Sequence, residues 1–346
     1  MKKIKYENLV KFHKELLTAI GLDEDSVDSV TTGLCETSLR GVDSHGVRLL
    51  PHYVKSALSG RKNPQPKYKV SKAFPSIAHL DADNAFGHAA GMKSIEVAME
   101  IAEVQGVGIV AVSNSSHPGA MASMALKAAR KGFIALAFTH ADALVLSHNG
   151  TRPYFGTNPV CIAVPREEHE PYCLDMASSI VSWNKVIVKK NSKTELIEGI
   201  AADCNGNLTT DPDDATCLVP AGGYKGFGIA SMVEVLCGIY TGMQFGRAIP
   251  SMYKTPMNEP RHLGQFYMVL RVDGVVNKSD FLSTMQAMSD EVRAEPAIDG
   301  EEVMMPGDPE IKTSIIRMKE GIPLDDVTVD SFIKLSKDHD VKLHLF

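Results

Sequence analysis

The sequence lacks an excess of positive charge, a long apolar run and a secretory signal. Its 346 residues contain 36 Lys and Arg against 42 Asp and Glu, a formal net charge of -6, so no basic field is available for a phosphate backbone or an anionic membrane. No stretch approaches the roughly 20 apolar residues that cross a bilayer, and the charged N-terminal residues are not followed by the apolar run of a signal peptide. We therefore expect neither nucleic acid nor a membrane as a partner.

Closely spaced metal-binding and nucleophile motifs are also missing. The six cysteines are scattered and form no CxxC pair, a pattern typical of reduced thiols in the cytoplasm. The sequence contains no HExxH and no GxSxG, so it indicates neither a zinc hydrolase nor a serine hydrolase of those types. We expect a cytoplasmic protein without a metal site.

The composition is that of a globular protein, 44% hydrophobic and 23% charged, with a length that suits two domains. Apolar residues recur at helical spacing over the first 60 residues and again near residues 227–240, 281–292, 310–319 and 329–335. Short apolar strands alternate with helices from residue 76 onward, and a further strand is predicted over residues 266–272. The sequence thus predicts an α/β protein: residues 1–75 plus 215–346 form a mostly helical discontinuous domain around a central α/β domain, residues 76–214. Residues 62–67 have the composition of a linker.

Two glycine clusters are candidates for cofactor binding. Gly106 and Gly108 fit the letters of a dinucleotide fingerprint, but they follow a predicted helix and precede a strand, so they indicate a helix end and no ordinary Rossmann motif is found. Gly222, Gly223 and Lys225 precede the apolar helix at 227–240. Glycines, helix-start N–H groups and a lysine suit a cofactor phosphate, although the same residues could serve as a flexible helix entry.

Two histidine motifs are candidates for proton transfer. Ser44, His45 and Arg48 follow the second predicted helix, where the imidazole could exchange a hydroxyl proton, Ser44 could orient it and Arg48 could hold a carboxylate. A helix-end hydrogen-bonding motif is the alternative. His117 and Pro118 stand at the carboxyl end of a predicted strand, where α/β sheets place ligands. We expect Pro118 at the first helical position, with Ser116 or His117 as the cap.

Taken together, several motifs resemble those of the malate/L-lactate dehydrogenase-like oxidoreductases, which include ureidoglycolate, sulfolactate and 2,3-diketogulonate enzymes. The motifs are Asp43-Ser-His-Gly-Val47, Leu50-Pro-His-Tyr53, Asn114-Ser-Ser-His-Pro-Gly119, Phe155-Gly-Thr-Asn-Pro159, Leu174-Asp-Met-Ala177 and Gly223-Tyr-Lys-Gly226, and they extend over nearly the whole chain. The resemblance implies a non-Rossmann, mixed-sheet nucleotide-binding domain with a mostly helical second domain. It also implies NAD or NADP as cofactor and a homodimer with sites near the subunit interface.

The resemblance also implies roles for individual residues. His45, supported by Ser44, and His117 correspond to active-site histidines, either of which could be the principal proton carrier. Substrate binding is implied for Arg48 and Tyr53, although the family's arginine commonly stands one position later, where this chain has Leu49. Cofactor binding is implied for Ala141, Asp175, Met176, Ala177, Lys225, Gly307 and Asp308, with Ala141 replacing a residue that is often polar.

The expected function is hydride transfer between NAD or NADP and a small 2-hydroxy or 2-keto acid, of the malate or lactate type. Four alternatives stay open from the sequence. They are a ureidoglycolate dehydrogenase, a sulfolactate dehydrogenase, a reductase of cyclic imine-2-carboxylates, and a non-catalytic member that binds a small molecule.

Overall fold

The computed structural model describes residues 2–167 and 169–344. The N-terminal part contains β1 (Lys2–Ile4), α1 (Tyr6–Ala19), α2 (Glu24–Leu39) and α3 (Leu50–Leu58). It is followed by β2 (Lys69–Phe74), β3 (Ile77–Asp81), α4 (Gly87–Gln105), β4 (Val107–Ser115), α5 (Ala122–Ala129), β5 (Phe133–Thr139), β6 (Val145–Leu146), β7 (Pro153–Phe155), β8 (Val160–Val164), β9 (Tyr172–Met176) and α6 (Trp183–Ser192). The remaining elements are β10 (Ala201–Ala202), β11 (Cys217–Leu218), α7 (Tyr224–Glu234), β12 (Leu263–Arg271), α8 (Lys278–Arg293), α9 (Asp308–Glu320), β13 (Ile322–Leu324) and α10 (Asp326–Asp338).

A seven-stranded mixed sheet forms the centre of the molecule, in the order β2-β3-β4-β12-β5-β8-β9. Strands β3 and β4 run parallel, whereas β12 pairs antiparallel with both β4 and β5. The strand predicted near 266–272 therefore belongs to the central sheet, although it comes late in the chain. This topology differs from the parallel sheet of a Rossmann domain, as expected.

Helices cover both faces of this sheet. Successive side chains of each strand point to opposite faces, so each face packs against helices. Ala135 and Ala137 of β5 lie in the core formed with α4 and α5. Phe138 points to the opposite face and packs with Val233 of α7 and Phe266 of β12. Gly106 ends α4 in a left-handed conformation (φ 79°), which confirms the interpretation of Gly106 and Gly108 as a helix end followed by a strand.

A second core joins the two ends of the chain. Apolar residues of α1, α2 and α3 pack with α10 and with the small sheet formed by β1 and β13. Phe86 and Ala89, at the start of α4, belong to the same core, so this helical layer is anchored directly to the central domain. No helix within residues 2–167 and 169–344 is long and apolar enough to cross a membrane.

One local expectation is wrong. Helix α5 begins at Ala122 and not at Pro118, and the carboxylate of Asp175 on β9 accepts the N–H of Ala122 at 2.8 Å at this helix start. The segment 62–67 forms neither helix nor strand, as its linker composition predicts, although Lys62 at its start is buried. The division into two domains stays a prediction.

Candidate active site

The two predicted histidines lie against each other although 71 positions separate them in the chain. The rings of His45 and His117 are stacked, with centroids 5.6 Å apart and an angle of 23° between their planes. His45 belongs to a short 3₁₀ turn (Asp43–His45) after α2, and Ser44 Oγ lies 2.8 Å from its Nδ1. The structure therefore brings Ser44, His45 and His117 together.

Tyr53 of α3 joins this group. Its hydroxyl oxygen lies at hydrogen-bonding distance, 2.7 Å, from Nδ1 of His117, and its ring is fully buried. Because Nδ1 is engaged by the phenol, Nε2 is the ring nitrogen of His117 left for proton exchange. Tyr53 thus contacts a candidate proton carrier directly, and its contact with the substrate stays a prediction.

Burial controls the charge of both imidazoles. It lowers the pKa of His45 to about 4, with the nearby Arg48 lowering it further. Burial also lowers the pKa of His117 well below its ordinary value, and the neighbouring His45 adds to this effect. Both rings are therefore neutral near pH 7 and able to accept a proton.

The loop that carries His117 is held by α4 and β12. Ser116 Oγ accepts the N–H of Gly87 and donates to the carbonyl of Ala85, both at 2.9 Å, while Gln265 of β12 donates to the Ser116 carbonyl at 3.2 Å. A Cβ at position 87 would lie 2.1 Å from the Ser116 carbonyl oxygen, so glycine is needed for this close approach.

The turn that carries His45 is held from the opposite side of the site. Arg317 of α9 donates two hydrogen bonds to the Asp43 carboxylate, at 2.6 and 2.8 Å, and Asn184 of α6 donates to the Ser44 carbonyl at 3.0 Å. These contacts come from two distant parts of the chain. They fix the His45 turn relative to the loop of His117.

Cationic side chains surround the histidines. Arg48 is half-buried and lies close enough to lower the pKa of His45. Arg261 is 4% exposed, forms an ion pair with Asp142 and donates to the Pro250 carbonyl at 2.8 Å. Lys62 is also buried. The site therefore concentrates positive charge beside two proton carriers, as binding of a carboxylate substrate requires.

Sequence reasoning missed part of this cluster. Lys62, Arg61 and His88 received no role, and Arg261 was not singled out as a site residue. The burial of charged residues cannot be read from one sequence. Arg61 and Lys62, however, directly follow Gly60, just after α3 and its buried residues. Two adjacent cations so close to the Tyr53 motif were the available signal.

A cleft of about 840 Å³, a size typical of cofactor sites, includes His45 in its lining. Of the predicted residues, Ser44, His45, Asp175, Met176, Ala177 and Gly307 line it. Arg40, which also pairs with Glu170, and Lys185 bring positive charge to the lining, and Met121, Met176 and Met305 bring apolar surface. The charged and apolar side chains of the lining and the size of the cleft fit a nicotinamide dinucleotide.

Three predicted cofactor residues lie elsewhere. Lys225 is exposed at the start of α7, and the Ala141 N–H donates to the Asn158 side chain at 3.1 Å. Asp308 accepts two hydrogen bonds from Arg293, at 2.8 and 2.9 Å, and one from the N–H of Met305 at 2.9 Å. Asp308 therefore shapes the loop that carries Gly307, and a direct cofactor contact by these three residues stays a prediction.

A dinucleotide-sized cleft lined by His45, on which His117 is stacked, is an arrangement that suits an oxidoreductase of small acids. Comparison with known proteins leads to the same class, since the family model described as malate/L-lactate dehydrogenase matches residues 4–332. The chain belongs to this family, and with it to the NAD(P)-dependent hydroxy-acid dehydrogenases. The resemblance stated from the motifs is confirmed.

Individual relatives cover nearly all of the chain. It is 32% identical over 351 residues to a malate dehydrogenase of Pyrococcus abyssi, with 98% of this chain and 96% of that protein covered. It is 33% identical over 312 residues to a ureidoglycolate dehydrogenase (NAD(+)) of Escherichia coli, with 90% and 89% covered. The crystal structure of a malate dehydrogenase from Entamoeba histolytica matches with a TM-score of 0.93 at 26% identity, covering 99% of each chain.

Proposed function

We propose that the chain interconverts a small 2-hydroxy acid of the malate or lactate type and its 2-keto acid, with NAD or NADP. The observation that carries this proposal is the stacked pair of His45, which lines the cleft, and His117, with the charge of Arg48 acting on His45 and that of Arg261 on His117. A neutral base, a carboxylate-binding cation and a dinucleotide cleft are the three parts that the reaction needs.

His117 is the better placed of the two proton carriers. In the oxidative direction its free Nε2 takes the hydroxyl proton while the C2 hydrogen leaves with its electron pair, so the alcohol becomes a ketone. Bound NAD(P)+ supplies the acceptor for that hydride. Tyr53 holds the His117 ring through Nδ1, and Ser44 does the same for His45, which is the alternative carrier.

The substrate carboxylate is proposed to bind between Arg48 and Arg261. The charge of Arg48 lowers the pKa of His45, so its side chain lies near this imidazole. Arg261 acts on His117 and is held in place by Asp142. Two cations on either side of the imidazoles would orient the C2 atom toward them.

A cytoplasmic homodimer is the proposed state of the protein. The six cysteines are unpaired thiols in the structure, as in a reducing compartment. Helix α7 and the π-helical turn Val235–Ile239 that continues it expose apolar side chains along one face: Tyr224, Met232, Val235 and Ile239, each at least 44% exposed. A second copy of the chain would cover this face.

Oxidation of NADH and NADPH with a panel of 2-keto acids tests the proposal. The panel contains pyruvate, oxaloacetate, sulfopyruvate and a cyclic imine-2-carboxylate, and ureidoglycolate with NAD+ or NADP+ is tested in the oxidative direction. Turnover with a keto acid supports the proposal, and the preferred compound and cofactor identify the type. Turnover of the imine or of ureidoglycolate alone would replace it with that alternative, and binding of NADH without any turnover would indicate a non-catalytic member.

A further inference from the structure

The molecule contains a buried lysine whose amine has no hydrogen-bond partner among the described residues. Lys62 is 3% exposed, and its Nζ is shielded from solvent. It lies in the turn after α3, where its N–H and that of Arg61 both donate to the Ser56 carbonyl, at 3.3 and 2.9 Å. Placing an amine in such a position is unfavourable unless the surroundings use its charge.

Arg61 fixes the turn from which Lys62 projects. Its guanidinium donates to the carbonyls of Met252, Thr255 and Pro256 at 2.7, 2.6 and 2.7 Å, so it binds the following loop and not the site. The two adjacent cations therefore have different roles. Arg61 forms three hydrogen bonds to backbone oxygens through NH1 and NH2, whereas Lys62 faces aromatic rings.

The amine of Lys62 lies over two ring faces. Its Nζ is 3.7 Å from the ring centroid of Tyr53 and 4.8 Å from that of Phe86. A ring face carries the negative part of the aromatic quadrupole, so it stabilises an ammonium group. The hydroxyl of the same Tyr53 lies 2.7 Å from Nδ1 of His117. Lys62, Tyr53 and His117 thus form one continuous group.

Charged and titratable groups face this group from several elements. They are His45 from the turn after α2, His52 from α3, His88 from α4, Arg61, and Arg261 with its partner Asp142. Burial lowers the pKa of Lys62 well below its usual range, and Arg261 and Arg61 lower it further. Burial is likewise the first cause of the lowered pKa of His117, followed by His45 and then Lys62.

We propose that Lys62 keeps its positive charge against the cost of burial because the ring faces of Tyr53 and Phe86 stabilise an ammonium group, and that it is a positioning residue for proton transfer: seated on the ring of Tyr53, it holds His117 in the neutral form that accepts the hydroxyl proton. The proposal rests on the proposed function of His117. A positive charge close to an imidazole disfavours a second positive charge on it. Lys62 therefore extends the pH range in which His117 acts as a base toward the acid side.

The test is the pH dependence of kcat/KM for oxidation of the preferred hydroxy acid. In Lys62→Met the acid limb should move upward by about one pH unit, which is about a tenfold loss of rate at a fixed pH on that limb. Lys62→Arg should restore part of the shift because it keeps the charge. Lys55→Met, on the exposed side of α3, is the matched control and should leave the profile unchanged.

Titration of His117 by NMR gives a readout that needs no turnover. Its ring signal is assigned as the one lost in His117→Gln, and in Lys62→Met it should take up a proton at a higher pH than in the wild type. Coinciding titrations and coinciding acid limbs would overturn the role of Lys62. An altered titration in a protein that oxidises no hydroxy acid would instead support Lys62 and count against the proposed function. Should the methionine variant not fold, Lys62→Gln and Lys62→Arg are compared in the same way.

Discussion

At the scale of single residues, the site depends on keeping imidazoles neutral in a region rich in cations. An exposed histidine has a pKa near 6.5 and would be partly protonated at physiological pH. Burial and neighbouring positive charges prevent this for His45 and His117. The same cations can bind the substrate carboxylate. One group of charges therefore serves both to bind the substrate and to keep the base unprotonated.

Replacing His117 by glutamine should lower kcat by roughly 10²–10⁴-fold, the usual contribution of an acid–base group. NADH binding, measured by its fluorescence, should stay close to wild type because His117 is not among the residues that line the cleft. His169→Gln, on an exposed residue, is the control. Turnover near wild type in the His117 variant would assign proton transfer to His45.

The residues that could be predicted from sequence are those whose motifs are local. Ser44, His45 and His117 stand beside glycine or proline in short patterns, and the structure brings them together. Arg261 could not be predicted because it reaches the site from a distant segment of the chain. Lys62 lies near Tyr53 in the sequence, and its Asn and Pro neighbours correctly predict a loop, but the burial of its side chain cannot be read from one sequence.

At the scale of elements, strong apolar patterns were predicted well and short strands were not. The late strand β12 was predicted, but its central place in the sheet was not. Antiparallel pairing of β12 between β4 and β5 joins segments over 120 residues apart, which no local pattern encodes. The strands β1 and β13 have three residues each, too few for a periodic signal.

The contact between α1 and α10 should weaken in mild acid. His13 of α1 is fully buried against Phe332 of α10, and burial lowers its pKa to about 4. Below pH 6.5 the unfolded chain binds a proton that the folded chain excludes, so the free energy of unfolding falls as the pH falls toward the folded pKa. The loss from this residue is about 2 kcal/mol between pH 6.5 and 5.0.

Urea unfolding across this pH range measures the effect. His45, His52, His88 and His117 also have lowered pKa values and contribute to the same trend. The quantity to compare is therefore the slope of the free energy of unfolding against pH in each variant. The free energy of unfolding of His13→Leu should depend less steeply on pH than that of the wild type or of the exposed control His169→Leu. Parallel curves for His13→Leu and the wild type would show that His13 does not stay neutral in the fold.

At the scale of the whole molecule, the apolar face of α7 is the feature that a single chain does not explain. The inner side of α7 packs on the sheet through Val233, whereas Val235 and Ile239 are 50% and 59% exposed on the outer side. The glycines that precede α7 and the exposed Lys225 lie at the same end of the helix. A partner that covers α7 would therefore also lie beside Lys225. Lys225 could then contact a cofactor site at the interface, although it does not line the cleft within its own chain.

Sedimentation of the wild type should accordingly give twice the chain mass of 37.5 kDa. The double variant Val235→Asp/Ile239→Asp should sediment as a monomer, because two carboxylates would have to be buried without partners at the interface. Val275→Asp is the matched control, since Val275 is 98% exposed outside this face, and it should leave the mass unchanged. A monomeric wild type, or a double variant that is still a dimer, would show that the apolar face of α7 does not form the dimer interface. Lys225 would then have no role that depends on a partner.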